Sequence, residues 1–186
     1  MVPIAAPRFN LDECHTDDEA AFVLAMHDRA VAGGWHADSW LWDDRVIITV
    51  DISDAERNCV LRMLRVDYHG GAVAFGPDET YQLATDLDPR RPGVFVMEGQ
   101  PVADLAAAAA DWLEREMARP IARHEWDGPG FSRRLWVLAD TGDGLVVSDS
   151  ANAVRRQGLG PPDRIVVVAG PNKQAEQIAA ADRPRE

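Results

Sequence analysis

The sequence predicts an α+β fold in which two main helices pack on one face of antiparallel β-sheet. Three features predict it: a capped helical pattern near residue 20, a second helical pattern near residue 110, and short strand patterns after each helix. Consecutive strands joined by short turns pair antiparallel, whereas a doubly wound parallel sheet needs a helix between its strands. We therefore expect antiparallel sheet.

The first helix is predicted to begin after Thr16. Residues 16–19, Thr-Asp-Asp-Glu, have the spacing of a capping box, in which the threonine hydroxyl and the Glu19 carboxylate each accept a hydrogen bond from a free backbone amide. Apolar residues recur at helical spacing as far as Val31, and the pair Gly33-Gly34 is typical of a helix end.

A first group of strands is predicted after a tryptophan-rich connecting segment at 35–42. Residues 45–52 alternate as the two faces of a strand do, residues 53–57 favour a turn, and residues 59–68 are expected to return as the antiparallel partner. Further short strands are predicted at 73–75, 81–84 and 94–97.

The second helix is predicted over 102–119, a run of strong helix formers with Pro101 at its start and Pro120 at its end. Its buried stripe is expected to comprise Leu105, Ala109, Trp112, Leu113 and Met117. Strands are then expected at 121–126, 133–139, 145–148 and 165–169.

The predicted organisation is an N-terminal extension (1–15), one α+β domain (16–170) and a polar C-terminal tail (171–186) that starts as a short helix. Two halves of the domain, 16–98 and 99–170, each hold one helix followed by strands. This order suggests a structural duplication, although too few residues match to define a sequence repeat.

The net charge of −12 argues against a nucleic-acid partner, because phosphate binding needs a cationic surface. A basic protein partner fits this charge, and so does a simple role in solubility. Lys173 is the only lysine among 19 basic residues, and alanine is abundant, which indicates a GC-rich bacterial genome.

The start of the sequence lacks the pattern of a secretory signal, and no apolar run approaches the ~20 residues of a membrane helix. We therefore expect a cytoplasmic protein without a membrane partner. In that compartment Cys14 and Cys59 are expected to be free, buried thiols, although a disulfide stays open. No cofactor is predicted, and the oligomeric state is open.

Asp140-Thr141-Gly142 follows a hydrophobic run and resembles the active-site motif of aspartic proteases, and residues 165–170 resemble the apolar segment that braces that motif. The resemblance implies a dimer in which each chain supplies one aspartate. Asp143 stands where that family has a small residue, and the interval between motif and brace is too short for the family's flap. The alternative, which we favour, is a hairpin turn, since Asp and Gly are typical turn residues.

The stretch Arg123 to Asp127, "RHEWD", is the main candidate for an acid/base site. On a strand, Arg123, Glu125 and Asp127 would share one face, and His124 would lie on the other with Trp126. In an enclosed cleft, His124, Glu125 and Asp127 would be the catalytic candidates, and Arg123 would bind an anionic group. The alternative is a solvated outer face with Trp126 in the core.

Trp35, Trp40 and Trp42 are candidate binding residues, because they lie outside the periodic elements and loop tryptophans often anchor a partner. The alternative to this binding role is that the three tryptophans pack the segment 35–42 onto the sheet. No metal site is predicted: the soft pair Cys14-His15 has no further ligand at a recognised spacing, and the aspartates 43, 44 and 51 are more typical of turn caps. A metal-dependent activity that uses these three aspartates is a weaker alternative.

The leading functional hypothesis is a binding protein that recognises a basic macromolecular partner, in the manner of an immunity protein, an antitoxin or a chaperone. It rests on the charge, the loop tryptophans and the lack of a catalytic signature. The main alternative is a small enzyme or ligand-binding domain with its site in a cleft between sheet and helices, and a weaker one is the protease-like dimer.

Overall fold

The computed structural model describes residues 8–78, 85–145 and 160–170. Within these ranges the chain forms two α-helices and eight strands in two antiparallel sheets, which confirms the α+β class. None of the helices in the described ranges is long and apolar enough to cross a membrane. The helices are α1 (Asp17–Gly33) and α2 (Val102–Met117), and the strands are β1 (Asp38–Trp42), β2 (Arg45–Asp54), β3 (Cys59–His69), β4 (Ala72–Pro77), β5 (Phe95–Glu98), β6 (Ile121–Gly128), β7 (Phe131–Leu138) and β8 (Arg164–Ala169).

The chain divides into two compact units. Unit 1 comprises Met1–Asp51 and Met63–Glu116, and unit 2 comprises Ile52–Arg62 and Met117–Glu186. Strands β2 and β3 therefore belong to unit 1 except at their connected ends, which belong to unit 2. The proposed halves 16–98 and 99–170 stay a prediction.

Unit 1 contains the five-stranded sheet, in the order β1-β2-β3-β4-β5, and both helices. Phe22 of α1 stacks on Tyr68 with ring centroids 4.4 Å apart, and Trp112 of α2 packs 5.5 Å from Phe75. Phe75 is the register partner of Val66, which lies two positions from Tyr68, so Tyr68 and Phe75 project from the same face. Both helices accordingly pack on one face of this sheet, as predicted.

The start of α1 confirms the predicted capping box. The Thr16 hydroxyl accepts from the amide of Glu19 at 3.2 Å, and the Glu19 carboxylate accepts from the amides of His15 and Thr16 at 2.6 and 3.0 Å. Gly34 ends the helix at φ +65°, a conformation that favours glycine. The five residues predicted to form the buried stripe of α2 are all buried.

Strand β1 lies where the sequence predicted a connecting segment. It pairs antiparallel with β2, with Trp40 opposite Ile47. The chain before α1 runs alongside β1, where Arg8 exchanges 2.9 Å backbone hydrogen bonds with Ala37 and Ser39. The segment Trp-Leu-Trp lacks a polar alternation, so its strand character depends on β2 and not on its own pattern.

Unit 2 contains the three-stranded sheet, in the order β7-β6-β8, and the connected ends of β2 and β3. On one face of this sheet Trp126, Leu135, Ala122 and Val137 form a buried apolar cluster, which confirms Trp126 as a core residue. The predicted strand at 81–84, most of the one at 145–148 and the tail at 171–186 lie outside the described residues.

Candidate functional site

The face of β6 opposite the apolar cluster holds a buried ion-pair network centred on Arg123. Its Nε donates to Glu125 at 2.7 Å, and its two Nη atoms donate to Asp54 and, at 2.7 Å, to Glu56. The indole of Trp136 donates to the same Asp54 oxygen at 2.9 Å. Arg123 and Asp54 are each 1% exposed and Glu125 is 3% exposed. The alternative of a solvated outer face is therefore wrong for Arg123 and Glu125.

The network lowers the pKa of its two buried carboxylates, Asp54 and Glu125. Burial opposes the charge of Asp54, but hydrogen bonds from Trp136 and Arg123 outweigh that cost and lower its pKa. For Glu125, burial is likewise outweighed by the hydrogen bond and charge of Arg123, and its pKa is lowered. A carboxylate of lowered pKa is a weak base and is not protonated at neutral pH, so it is poorly suited to acid/base catalysis.

Three further arginines surround the Glu125 carboxylate at longer range. Arg57 donates to it at 3.4 Å, and the guanidinium nitrogens of Arg134 and Arg164 lie 3.5 and 3.8 Å from its oxygens. With four guanidinium groups near it, the ionised Glu125 carboxylate has the features of a structural acceptor.

The three predicted acid/base residues occupy different environments. Asp127 is exposed, and a hydrogen bond of 2.6 Å from Ser132 together with the charge of Arg134 lowers its pKa. His124 projects from the other face of β6, where its ring centroid lies 6.0 Å from that of Trp126. The strand therefore separates His124 from Glu125, and the structure does not bring the three residues together.

A similar network lies in unit 1. Arg65 of β3 donates to Asp67 from Nε and Nη2 at 2.6 and 2.7 Å, and to Asp78 from Nη1 at 3.2 Å. Sequence reasoning did not select these residues. The signal that both networks share is an arginine followed two positions later by an acid on a strand, as in Arg123 and Glu125.

The three candidate tryptophans differ in exposure. Trp35 is buried, and its indole donates to Glu114 at 3.4 Å beside the Arg29 guanidinium, which donates to the same carboxylate at 2.6 and 3.2 Å. Trp40 is half-buried in β1. Trp42 is 42% exposed at the end of β1, next to the turn formed by Asp43 and Asp44.

Two acidic residues follow Trp42 in the chain, and a third contacts the amide of the residue before it. Asp43, at φ +54°, and Asp44 are both exposed. The 3₁₀ turn Leu11–Glu13 lies beside the end of β1. Its Glu13 carboxylate accepts from the amide of Leu41 at 3.1 Å. Leu11 is 41% exposed. Leu11 and Trp42 are thus large exposed apolar side chains in segments that also contain exposed carboxylates.

Asp140, Thr141 and Gly142 form a turn after β7. The amide of Gly142 donates to the carbonyl of Leu138 at 2.7 Å, and Gly142 has φ +76°. Arg119 donates to both oxygens of Asp140, at 2.8 and 3.1 Å, and these hydrogen bonds lower its pKa. A lowered pKa disfavours the shared proton on which an aspartic-protease dyad depends.

Metal-binding side chains do not converge in the parts of the chain that the structure describes: no group of three or more His, Cys, Asp or Glu side chains is placed to hold an ion. Cys14 and Cys59 are not joined by a disulfide, and both are half-buried, so the expected burial of these thiols is wrong.

Charge is distributed unevenly between the two units. The sequence of unit 1 contains 20 acidic residues and 7 arginines, whereas unit 2 contains 11 acidic and 12 basic residues. In unit 1, Arg65 and Arg45 are buried and Arg29 and Arg90 are paired with carboxylates. Few cations therefore remain to balance the surface of unit 1. No family model, curated protein or solved structure matches the chain.

Proposed function

We propose that the chain is a binding protein whose unit 1 recognises a basic protein, in the manner of an immunity protein, an antitoxin or a chaperone. The observation that carries the proposal is the concentration of the negative charge in unit 1, with unit 2 almost neutral. If the negative charge served only solubility, we would expect it on the surfaces of both units. A charge that attracts a basic partner benefits from such concentration, because it accelerates and orients encounter.

The contact region is the Trp42 surface, defined as Trp42, Asp43, Asp44 and the turn Leu11–Glu13. An exposed tryptophan provides a large apolar area and a ring face on which Lys or Arg can stack. The carboxylates around it would pair with the same cations. This combination fits a basic segment better than it fits an apolar one or a nucleic acid.

The experiment is a pull-down from a native lysate of the source organism, using wild-type protein and two variants, Trp42→Ala and Asp43→Asn/Asp44→Asn. Each species recovered by the wild type is identified, and its isoelectric point is noted. We expect one basic protein to bind the wild type and to be reduced at least about tenfold with either variant, as for an anchor residue of an interface. Binding should also weaken steeply as salt rises.

Matched controls separate a defined surface from general charge. Phe131→Ala removes an aromatic residue that is 50% exposed in unit 2, and Glu98→Gln/Asp104→Asn removes two exposed charges elsewhere in unit 1. Both controls should retain the partner. The proposal is wrong if the recovered species are not basic. The assignment of the Trp42 surface as the contact region is wrong if the controls lose the partner as much as the two variants do.

A further inference from the structure

Strand β8 forms one edge of the three-stranded sheet of unit 2. It pairs antiparallel with β6, from Ala169 opposite Ile121 to Arg164 opposite Glu125. Within residues 8–78, 85–145 and 160–170, no strand pairs with its other edge. An edge of this kind presents backbone N–H and C=O groups that a further strand can bind.

Arg164 begins β8 and a register shift skips Val168 in its pairing with β6, but the strand has no charge or proline beyond Arg164 to protect its edge. From Ile165 to Ala169 the strand contains no charge, no proline and no glycine, and four of its five residues are β-branched. Ile165 is 59% exposed and Val167 is 44% exposed, and they project to the same face because they lie two positions apart. The strand therefore exposes apolar side chains beside an edge that no other described strand pairs with.

Charge indicates which occupant suits this edge. Unit 2 carries 11 acidic and 12 basic residues, so a second copy of unit 2 meets no net repulsion there. A basic partner of the kind that suits unit 1 would gain no attraction at β8. The uncharged apolar stretch from Ile165 to Ala169 is also complementary to itself, which is what a two-fold symmetric interface requires.

We propose that β8 pairs antiparallel with β8 of a second copy of this chain, so that the two three-stranded sheets join into one sheet across a two-fold axis. Pairing centred on Val166 places Ile165 opposite Val167 of the second copy. Directly opposite residues of an antiparallel pair project to the same face, so the exposed apolar side chains of both copies cover one another. The β8 interface uses residues of unit 2 only, whereas the Trp42 surface belongs to unit 1, so either proposal can hold without the other.

Sedimentation velocity of the full chain over a range of micromolar concentrations tests the dimer. The wild type should shift from the 20.4 kDa monomer towards twice that mass as concentration rises. Val167→Lys should raise the dissociation constant at least about tenfold, because lysine on an edge strand opposes pairing. Leu24→Lys adds the same charge at a 48% exposed position of α1 and should leave association unchanged.

A monomeric wild type at every concentration would overturn the proposal, and so would equal weakening by the two lysine variants. Hydrogen exchange on the wild type provides a test that needs no variant. Amides of residues 164–169 should exchange more slowly at high concentration, whereas β5, which also exposes Phe95 and Val96 on an edge strand, should be unchanged. Concentration-dependent protection at β5 without protection at β8 would also overturn the proposal.

Discussion

Arg123 donates through Nε to the carboxylate of Glu125 at 2.7 Å, two positions along the same strand, and both side chains are buried. Arg65 makes the same kind of contact to Asp67 in unit 1, at 2.6 Å. In each case a second carboxylate, Asp54 or Asp78, contacts another nitrogen of the guanidinium. Buried charge is tolerated in these two networks because each guanidinium contacts at least two carboxylates within hydrogen-bonding distance.

Removal of Arg123 is expected to be strongly destabilising. Arg123→Met leaves Asp54 and Glu125 buried without their main cation, and breaking a buried pair in this way costs about 3–5 kcal/mol of the free energy of unfolding. Urea denaturation, monitored by tryptophan fluorescence, measures this loss of the free energy of unfolding. As a control, Arg164→Met removes a 66% exposed side chain 3.8 Å from the same Glu125 and should cost less than about 1 kcal/mol. Similar losses in the two variants would contradict the dependence on burial.

Stability is expected to fall in acid because of Asp54 and Glu125. Folding lowers the pKa of both groups, so their contribution is present above their unfolded pKa of about 4 and is lost as pH falls through the folded pKa values. The urea midpoint should therefore decrease between neutral pH and about pH 3. Glu125→Gln removes one titrating group, so the variant should be less stable at neutral pH and show a shallower decrease. An unchanged pH slope in the variant would rule out this role of Glu125.

The capping box of α1 is expected to contribute measurably to stability. Thr16→Ala removes the oxygen that accepts from the Glu19 amide, and the loss of such a cap costs about 1 kcal/mol. Thermal or urea unfolding monitored by circular dichroism checks it. Thr16→Ser keeps the hydroxyl and should recover most of the loss. If the serine variant is as unstable as the alanine variant, the hydroxyl is not the stabilising group.

The turn after β7 is expected to depend on the backbone freedom of Gly142. Gly142→Ala places a Cβ at φ +76°, which costs about 1–2 kcal/mol. Gly144→Ala is the matched control, because a Cβ there would only meet Leu135 at 3.9 Å, an ordinary contact, and should change stability by less than about 0.5 kcal/mol. Equal unfolding midpoints for the two variants would contradict the turn geometry.

Local features of the sequence determined the helices. The start of α1 depends on side-chain and backbone groups within four positions of one another, from His15 to Glu19, so their order in the chain was sufficient to predict it. The apolar spacing of α2 was likewise sufficient to predict which of its residues are buried. Strand β1 was not predictable in this way, because it depends on pairing with β2 and its own residues do not alternate.

The alternation of "RHEWD" correctly placed Arg123 and Glu125 on one face of a strand and Trp126 in the core on the other. Only the tertiary structure decided that the charged face is buried. The groups that make this burial favourable, Asp54 and Trp136, are separated by 82 positions in the chain, and Asp54 is 69 positions from Arg123. Tertiary structure also distinguished the buried Trp35 from the exposed Trp42. The exposure of each ring depends on which distant chain segments cover it, and the spacing of residues in the sequence does not indicate those segments.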